Sequence, residues 1–394
     1  MTLSEIQERE ARTFLPVVHR MPVALVRGEG SRVWDVAGRE FVDLTAGWGV
    51  TAIGHCHPSL VEAISRQAAT LMQTTNLFYT VPQLDLCDTL DAVTPKEITR
   101  SFFVSSGAEA VEGALKMAHR ATGRRKFVST ANSFHGRTLG ALQVIGQAKH
   151  RDAYRDLMPK QVVVPFDDAG AAEAAIDADT AAVIVEPVQG EGGVNVPGPG
   201  YLNRLRELAH AAGALLILDE IQTGIGRTGR MMALEHDGVV PDILTLGKGL
   251  GGGFPIAAFL CTEAVADTVS PGDHGGTYAG NPLACAAAEA TLAVVRGEKL
   301  PERAADVGQR LLAHLDAFAE AHPDLARNAR GRGLLLGIEL VDAERAAALP
   351  GLALDAGILT NVTAGTVLRL FPPLDIPEDL LFDSVDRILG LVAG

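Results

Sequence analysis

The chain has 394 residues, 47% of them hydrophobic, which is enough to bury a large core and exceeds the usual size of one domain. Its net charge is −14 and its longest basic run is Arg124-Arg125-Lys126, which argues against nucleic acid or an anionic membrane as partner. The four cysteines, Cys56, Cys87, Cys261 and Cys285, lie far apart and form no C-x-x-C pair, which speaks against a disulfide framework and fits a reducing compartment.

The N-terminus is charged from residue 5 and lacks the apolar core of a secretory signal. No apolar run reaches the length of a membrane span, so a cytoplasmic location is expected. His55-Cys56-His57 raises the question of a metal, but neither its spacing nor any other Cys/His cluster completes a site. A turn before a helix beginning near Pro58 fits better, and no metal centre is expected.

From there short β-branched runs alternate with amphipathic stretches. Arg100–Val104 reads as a strand and Ala108–Arg120 as a helix, with Ala110, Val111, Ala114, Leu115 and Ala118 on one stripe. Ser106 and Glu109 form a capping-box pair at its start. Lys126–Ser129 and Ala181–Val185 read as strands, and Tyr201–Ala212 as a helix ended by Gly213. Ala214–Leu218, Ile243–Leu246 and Ala257–Leu260 are further strands. Runs apolar on both faces, alternating with helices, predict a mostly parallel sheet covered by helices in an α/β domain over residues 51–286. Residues 287–394 hold a helical pattern (Ala304–Ala321) and short strand-like runs (Leu334–Leu340, Val367–Phe371). They read as a smaller α+β domain that residues 1–50 join.

Four strand-like runs end in polar or glycine-rich loops: Ser105-Ser106-Gly107-Ala108, Glu186 through Glu191, Asp219-Glu220-Ile221-Gln222, and Gly247-Lys248-Gly249. Open parallel sheets bind ligands beyond the carboxyl ends of their strands, so these groups are expected on one rim. Pyridoxal phosphate (PLP) suits that set. It needs a lysine amine to take its aldehyde, a carboxylate against its ring nitrogen, and a helix N-terminus for its phosphate. Lys248, Asp219 and Ser106-Gly107-Ala108 meet these demands. Singly, each has an ordinary structural reading as a cap or a solvated side chain; together they carry more weight. Gly247–Gly252 also fits G-x-G-x-x-G, but Phe254-Pro255 leaves no helix to face a pyrophosphate.

Longer motifs carry a resemblance. GHCHP (54–58), SSGAEA (105–110), SFHGRTLG (133–140), VEPVQGEGGV (185–194), LILDEIQTGIGRTG (216–229), PDILTLGKGLGGGFP (241–255), HGGTYAGNPLACA (274–286) and LRLFPPL (368–374) occur in the order seen in one family. The sequence resembles the class III (ω-amino) aminotransferases, which are fold type I PLP-dependent transferases. The resemblance implies that Lys248 is the Schiff-base lysine and proton shuttle and that Asp219 is the partner of the pyridinium. Gln222 would lie near the ring hydroxyl, Phe134 on the ring face, and the Ser106, Gly107 and Ala108 segment at the phosphate. Glu186 and Ile221 complete the cofactor set, and Thr277 would reach the phosphate of a neighbouring subunit, making the site composite across a homodimer.

For substrate, the resemblance implies that Arg137 holds an acyl-ornithine carboxylate or the distal carboxylate of glutamate. Arg369 would engage the α-carboxylate of glutamate or 2-oxoglutarate, with Glu191 covering it when an ω-amine enters. The implied reaction moves the ω-amino group of N2-acetyl-L-ornithine to 2-oxoglutarate, a step of arginine biosynthesis. Two positions depart from that pattern: Gly276 stands where serine is common, and Trp48 where a smaller residue or tyrosine lies at the substrate entrance. A sister ω-aminotransferase acting on ornithine, 4-aminobutyrate, succinylornithine or a carrier-linked aminoadipate semialdehyde therefore stays open, as does a PLP mutase or racemase of the same fold.

Overall fold

The computed structural model describes all residues from Met1 to Gly394. Near the N-terminus, β1 (Leu25–Glu29), β2 (Arg32–Asp35) and β3 (Glu40–Asp43) form an antiparallel meander. A seven-stranded sheet follows, built from β4 (Ile98–Val104), β5 (Lys126–Thr130), β6 (Val162–Val164), β7 (Thr180–Val185), β8 (Leu215–Asp219), β9 (Ile243–Leu246) and β10 (Ala257–Thr262). Its order is β4-β10-β9-β8-β7-β5-β6.

Only β10 runs against its neighbours, β4 and β9; every other pairing is parallel. A strand antiparallel to an antiparallel strand regains the common direction, so β4 points the same way as β7, β8 and β9. Their carboxyl ends therefore open on one edge, as the sequence reading requires. Every residue of β7 and β9 is buried, which explains why neither shows a polar face.

The helix Gly107–Thr122 lies on this sheet with its expected apolar stripe buried. Gly113 lets it approach closely, because a Cβ there would overlap the ring of Phe259 on β10. Gly123, at φ +68°, ends it in the left-handed conformation that glycine tolerates. Its N-terminal cap differs from the expectation. Ser106 Oγ accepts the Glu109 amide at 3.3 Å, but the Glu109 carboxylate accepts the Ser105 amide at 2.7 Å instead of that of Ser106. The chain enters the helix through an extended Ser106, which brings the preceding amide within reach.

The C-terminal part contributes β11 (Ala326–Arg332), β12 (Leu335–Leu340), β13 (Ile358–Leu359), β14 (Asn361–Thr363) and β15 (Val367–Leu370). Four of them form an antiparallel sheet in the order β11-β12-β15-β14, while β13 pairs in parallel with β3 and so ties the two chain ends together. The long helix here, Leu300–Ala321, begins a turn earlier than its apolar period suggests because Pro301 supplies a preformed first turn. No helix is long and apolar enough to cross a membrane. His55 Nε2 bonds the buried Asp43 carboxylate at 2.8 Å, and His57 caps the helix Pro58–Thr70 through the Ser59 amide.

Candidate active site

The ends of β4, β7, β8 and β9 surround a cavity of about 280 Å³. It is lined by Gly107, Ala108, Phe134, His135, Gly136, Arg137, Glu186, Glu191, Asp219, Ile221, Gln222 and Lys248. Four separate strand–loop junctions thus deliver the expected residues to one place. Lys248 opens a four-residue turn after β9 with φ +43°, an uncommon conformation for a residue with a side chain. Burial first, and the nearby Arg369 guanidinium, push its amine below the ordinary lysine range, against the pull of Glu191, Asp219 and Glu186.

Asp219 ends β8 and is 3% exposed. Its Oδ1 accepts from the Ile221 amide and the Thr245 hydroxyl, both at 3.1 Å, and its Oδ2 pairs with His135 Nδ1 at 2.7 Å. Thr245 lies on the adjacent strand β9, so the sheet register itself orients the carboxylate. His135 is buried, and its Nε2 has no partner. Glu186, at the end of β7, accepts the Phe134 amide at 3.3 Å. Burial and the neighbouring Asp219 raise its carboxyl well above the usual carboxylate range.

At the opposite wall, Arg369 of β15 is fully buried and donates through Nη1 to Glu191 Oε1 at 2.7 Å. Burial works to raise the Glu191 carboxyl, but Arg369 and Lys248 hold it below its usual range. Gln222 donates to Glu191 Oε1 at 3.2 Å. Its position depends on Gly190, where a Cβ would overlap the Gln222 amide oxygen. Arg137 is exposed, with its guanidinium 5.6 Å from the Phe134 ring centroid and 3.5 Å from His150 Nε2. His150 stands edge-on to Phe134 at 6.1 Å between centroids.

Ser106, Thr277, Gly276, Arg369 and Trp48 do not line this cavity. The Ser106 hydroxyl caps the helix, and Arg369 reaches the cavity through Glu191. Gly276 and Thr277 belong to a second cavity of about 250 Å³ with Ser105, Glu109, Glu112 and His274. Trp48 is 61% exposed and sits on a left-handed turn in which Ala46, Gly47, Trp48 and Gly49 all have positive φ. Reading the sequence missed His135 and His150. His135 lies inside a motif whose other members drew attention, and its place directly after Phe134 was the available signal. His150 had none.

The residues fit PLP. The helix Gly107–Thr122 presents its first amides to the cavity, and its dipole favours an anion there. A Cβ on Gly107 would stand 2.9 Å from Ile221 Cδ1, so the glycine lets the Ile221 side chain close on this turn. A Cβ on Gly136 would stand 2.7 Å from that of Ala108, so both glycines keep this corner open. The buried Asp219 carboxylate and the Lys248 amine, its proton loosened by burial, face the same space.

The family profile described as "Aminotransferase class-III" matches residues 14–391. The acetylornithine aminotransferase of Methanopyrus kandleri is 49% identical over 362 residues, covering 92% of each chain. The crystal structure of the ornithine aminotransferase of Toxoplasma gondii superposes with a TM-score of 0.94 at 36% identity, over 100% of this chain and 95% of that one. That of the acetylornithine aminotransferase of Elizabethkingia anophelis gives 0.87 at 35% identity, over 100% and 99%. The rim cavity and these likenesses agree, and the chain belongs to the class-III aminotransferases, enzymes of fold type I that depend on pyridoxal phosphate.

Proposed function

We propose that the protein transfers the ω-amino group of N2-acetyl-L-ornithine to 2-oxoglutarate, giving N-acetylglutamate 5-semialdehyde and L-glutamate, in the arginine pathway of the cytoplasm. The observation that carries this reading is the ion pair between the buried Arg369 and Glu191, which itself lines the cavity that holds Lys248. One pocket must accept an ω-amine and then an α-amino acid, and a cation that is covered in one half-reaction and bared in the other meets that need. Relatives named for acetylornithine support the donor.

Pyridoxal phosphate supplies an aldehyde to take the amino group and a ring to delocalise the electron pair left on carbon. In this reading Lys248 Nζ holds the cofactor at rest and afterwards carries the proton leaving the substrate's δ-carbon. Asp219 keeps the ring nitrogen protonated, and His135 fixes the carboxylate that does so. Gly107 and Ala108 amides hold the phosphate, with Ser106 shaping their turn. Phe134 and Ile221 would hold the ring, and Gln222 and Glu186 would lie beside it. Arg137 forks onto the acyl-ornithine carboxylate, or onto the distal carboxylate of glutamate.

We take residues 51–286 as the cofactor-binding domain and residues 1–50 with 287–394 as the smaller one. The reading includes a homodimer in which Thr277 completes the neighbour's phosphate site. Exposed Leu71, Met72, Leu77, Phe78, Tyr79 and Tyr278 form the kind of apolar surface that a second copy covers. Trp48 would then border the entrance, and Gly276 would leave the substrate without a hydroxyl at that point. The test is a donor panel with 2-oxoglutarate as acceptor: N-acetylornithine, ornithine, succinylornithine, 4-aminobutyrate and lysine derivatives. N-acetylornithine should give stoichiometric glutamate with the highest kcat/KM; a higher value for another donor would replace the substrate assignment.

A further inference from the structure

Arg369 is held by few contacts. Its Nη1 bonds Glu191 at 2.7 Å and lies 3.5 Å from Gln222 Oε1, its Nε lies 3.4 Å from Asn361 Oδ1, and its Nη2 is buried without a partner. If Glu191 withdraws, the hydrogen bonds that remain to the guanidinium are weak ones. What else touches it is the ring of Phe371, two residues along the chain, whose centroid is 5.3 Å from Arg369 Cζ. A desolvated guanidinium over an aromatic face gains energy from the ring quadrupole, and that contact is independent of Glu191.

Phe371 is itself fixed from three directions. Its amide donates to Leu44 O at 3.0 Å. Arg227, buried in the loop after β8, donates through Nη1 to Pro372 O at 2.6 Å and Leu334 O at 3.0 Å, and lays its Cζ 4.5 Å from the same ring. Gly49, at φ +80° in the left-handed turn that carries Trp48, closes against the ring so tightly that a Cβ would overlap it. A buried arginine bonded to backbone carbonyls, a glycine with no room for a methyl group and a phenyl ring thus form one assembly behind Arg369.

We propose that Phe371, braced by Arg227 and Gly49, is the positioning residue that keeps the Arg369 guanidinium in register with the cavity when Glu191 releases it, and so sets the affinity for the α-carboxylate of the second substrate. The inference rests on the two-substrate reading given above. Phe371 touches no substrate in this account; it acts through Arg369. Gly49 belongs to the same left-handed turn as Trp48.

The test measures the two half-reactions separately on the PLP-loaded wild type and on Phe371→Leu, Phe371→Met and Gly49→Ala, following the visible absorbance of the cofactor in single turnovers. Methionine keeps most of the volume and polarisability while removing the ring. Half-saturation by glutamate should rise about tenfold or more in all three, while that by N-acetylornithine changes by less than about twofold. Unchanged glutamate saturation in Phe371→Met, or equal weakening of both half-reactions in the variants that keep the wild-type melting temperature, would overturn the inference. The wild type separates this outcome from failure of the substrate reading: reaction with glutamate but not with N-acetylornithine sinks the donor assignment alone, and the comparison is then made with the ω-amine that does react.

Discussion

Arg369 has no exposed side-chain surface, yet its ion-pair partner Glu191, 2.7 Å away, keeps 29% of its side chain open. The pair is therefore asymmetric: the cation is fixed within the fold and the anion is the part free to leave. An unpaired buried guanidinium is costly, so Glu191 departs only when another carboxylate replaces it. Glu191→Gln removes the charge and keeps the shape. We expect kcat/KM for the ω-amine half-reaction to fall about tenfold or more, because an uncovered Arg369 claims carboxylates wrongly, while the glutamate half-reaction changes by less than about threefold. Equal losses in both halves, measured in single turnovers, would remove the switch.

Arg137 is the complementary case. It is exposed, and its nearest polar neighbour, His150 Nε2 at 3.5 Å, holds it only weakly. Burial first, then Arg137 and Lys149, lower the His150 imidazole below its ordinary range, against the pull of Glu191. The guanidinium is thus available to an incoming carboxylate. Arg137→Ala should raise KM for N-acetylornithine and for 2-oxoglutarate together, each by about tenfold to a hundredfold, with Arg137→Lys intermediate. Steady-state kinetics with each substrate varied would show it, and an effect on neither would refute the assignment.

What the sequence made legible follows from where polar residues interrupt apolar runs. Asp219 and Lys248 each stand where a largely buried strand ends, so their convergence could be argued before any coordinates. His135 was hidden for the opposite reason: its partner Asp219 lies 84 residues away, and only the order of β5, β7 and β8 makes them neighbours. Strand β1 was missed because it buries none of its residues fully and shows no alternation to read. The turn at Ala46–Gly49 was equally opaque. Alanine and tryptophan both disfavour positive φ, and the turn's close approach to Phe371 through Gly49 is absent from any local pattern.

Lys248 offers a chemical test of the whole site. Burial keeps its amine less basic than an exposed lysine, so a larger share of it is unprotonated and nucleophilic near neutral pH. We expect apoprotein to take up PLP and turn yellow, with the rate of uptake holding at lower pH than an exposed lysine would allow. Borohydride should then fix the cofactor to Lys248, read as a mass increment on the peptide that contains it. Lys248→Ala should bind the cofactor without becoming fixed; a label on any other lysine would displace Lys248 from its role.

The residue after Asp219 governs stability, not chemistry. Glu220 is buried, and its two oxygens accept the Ala233 and Leu234 amides at 2.6 and 2.7 Å, capping the turn Ala233–His236. Burial nevertheless pushes its carboxyl up to about 7 from an ordinary 4.5. In the window between those values the folded chain keeps a proton that the unfolded chain has lost. Glu220 therefore makes stability decline as pH rises from about 4.5 to about 7, and its contribution is level above that. Glutamine cannot accept both amides, because its nitrogen would face one of them, so Glu220→Gln should cost about 1–3 kcal/mol. It should also flatten the pH dependence, so the gap between wild type and variant is widest at the acid end and narrows toward pH 7. Melting temperatures of the two apoproteins from about pH 5 to about pH 8 measure that gap directly. A gap that widens with rising pH would mean that Glu220 is ionised throughout the window, with the two amides outweighing its burial.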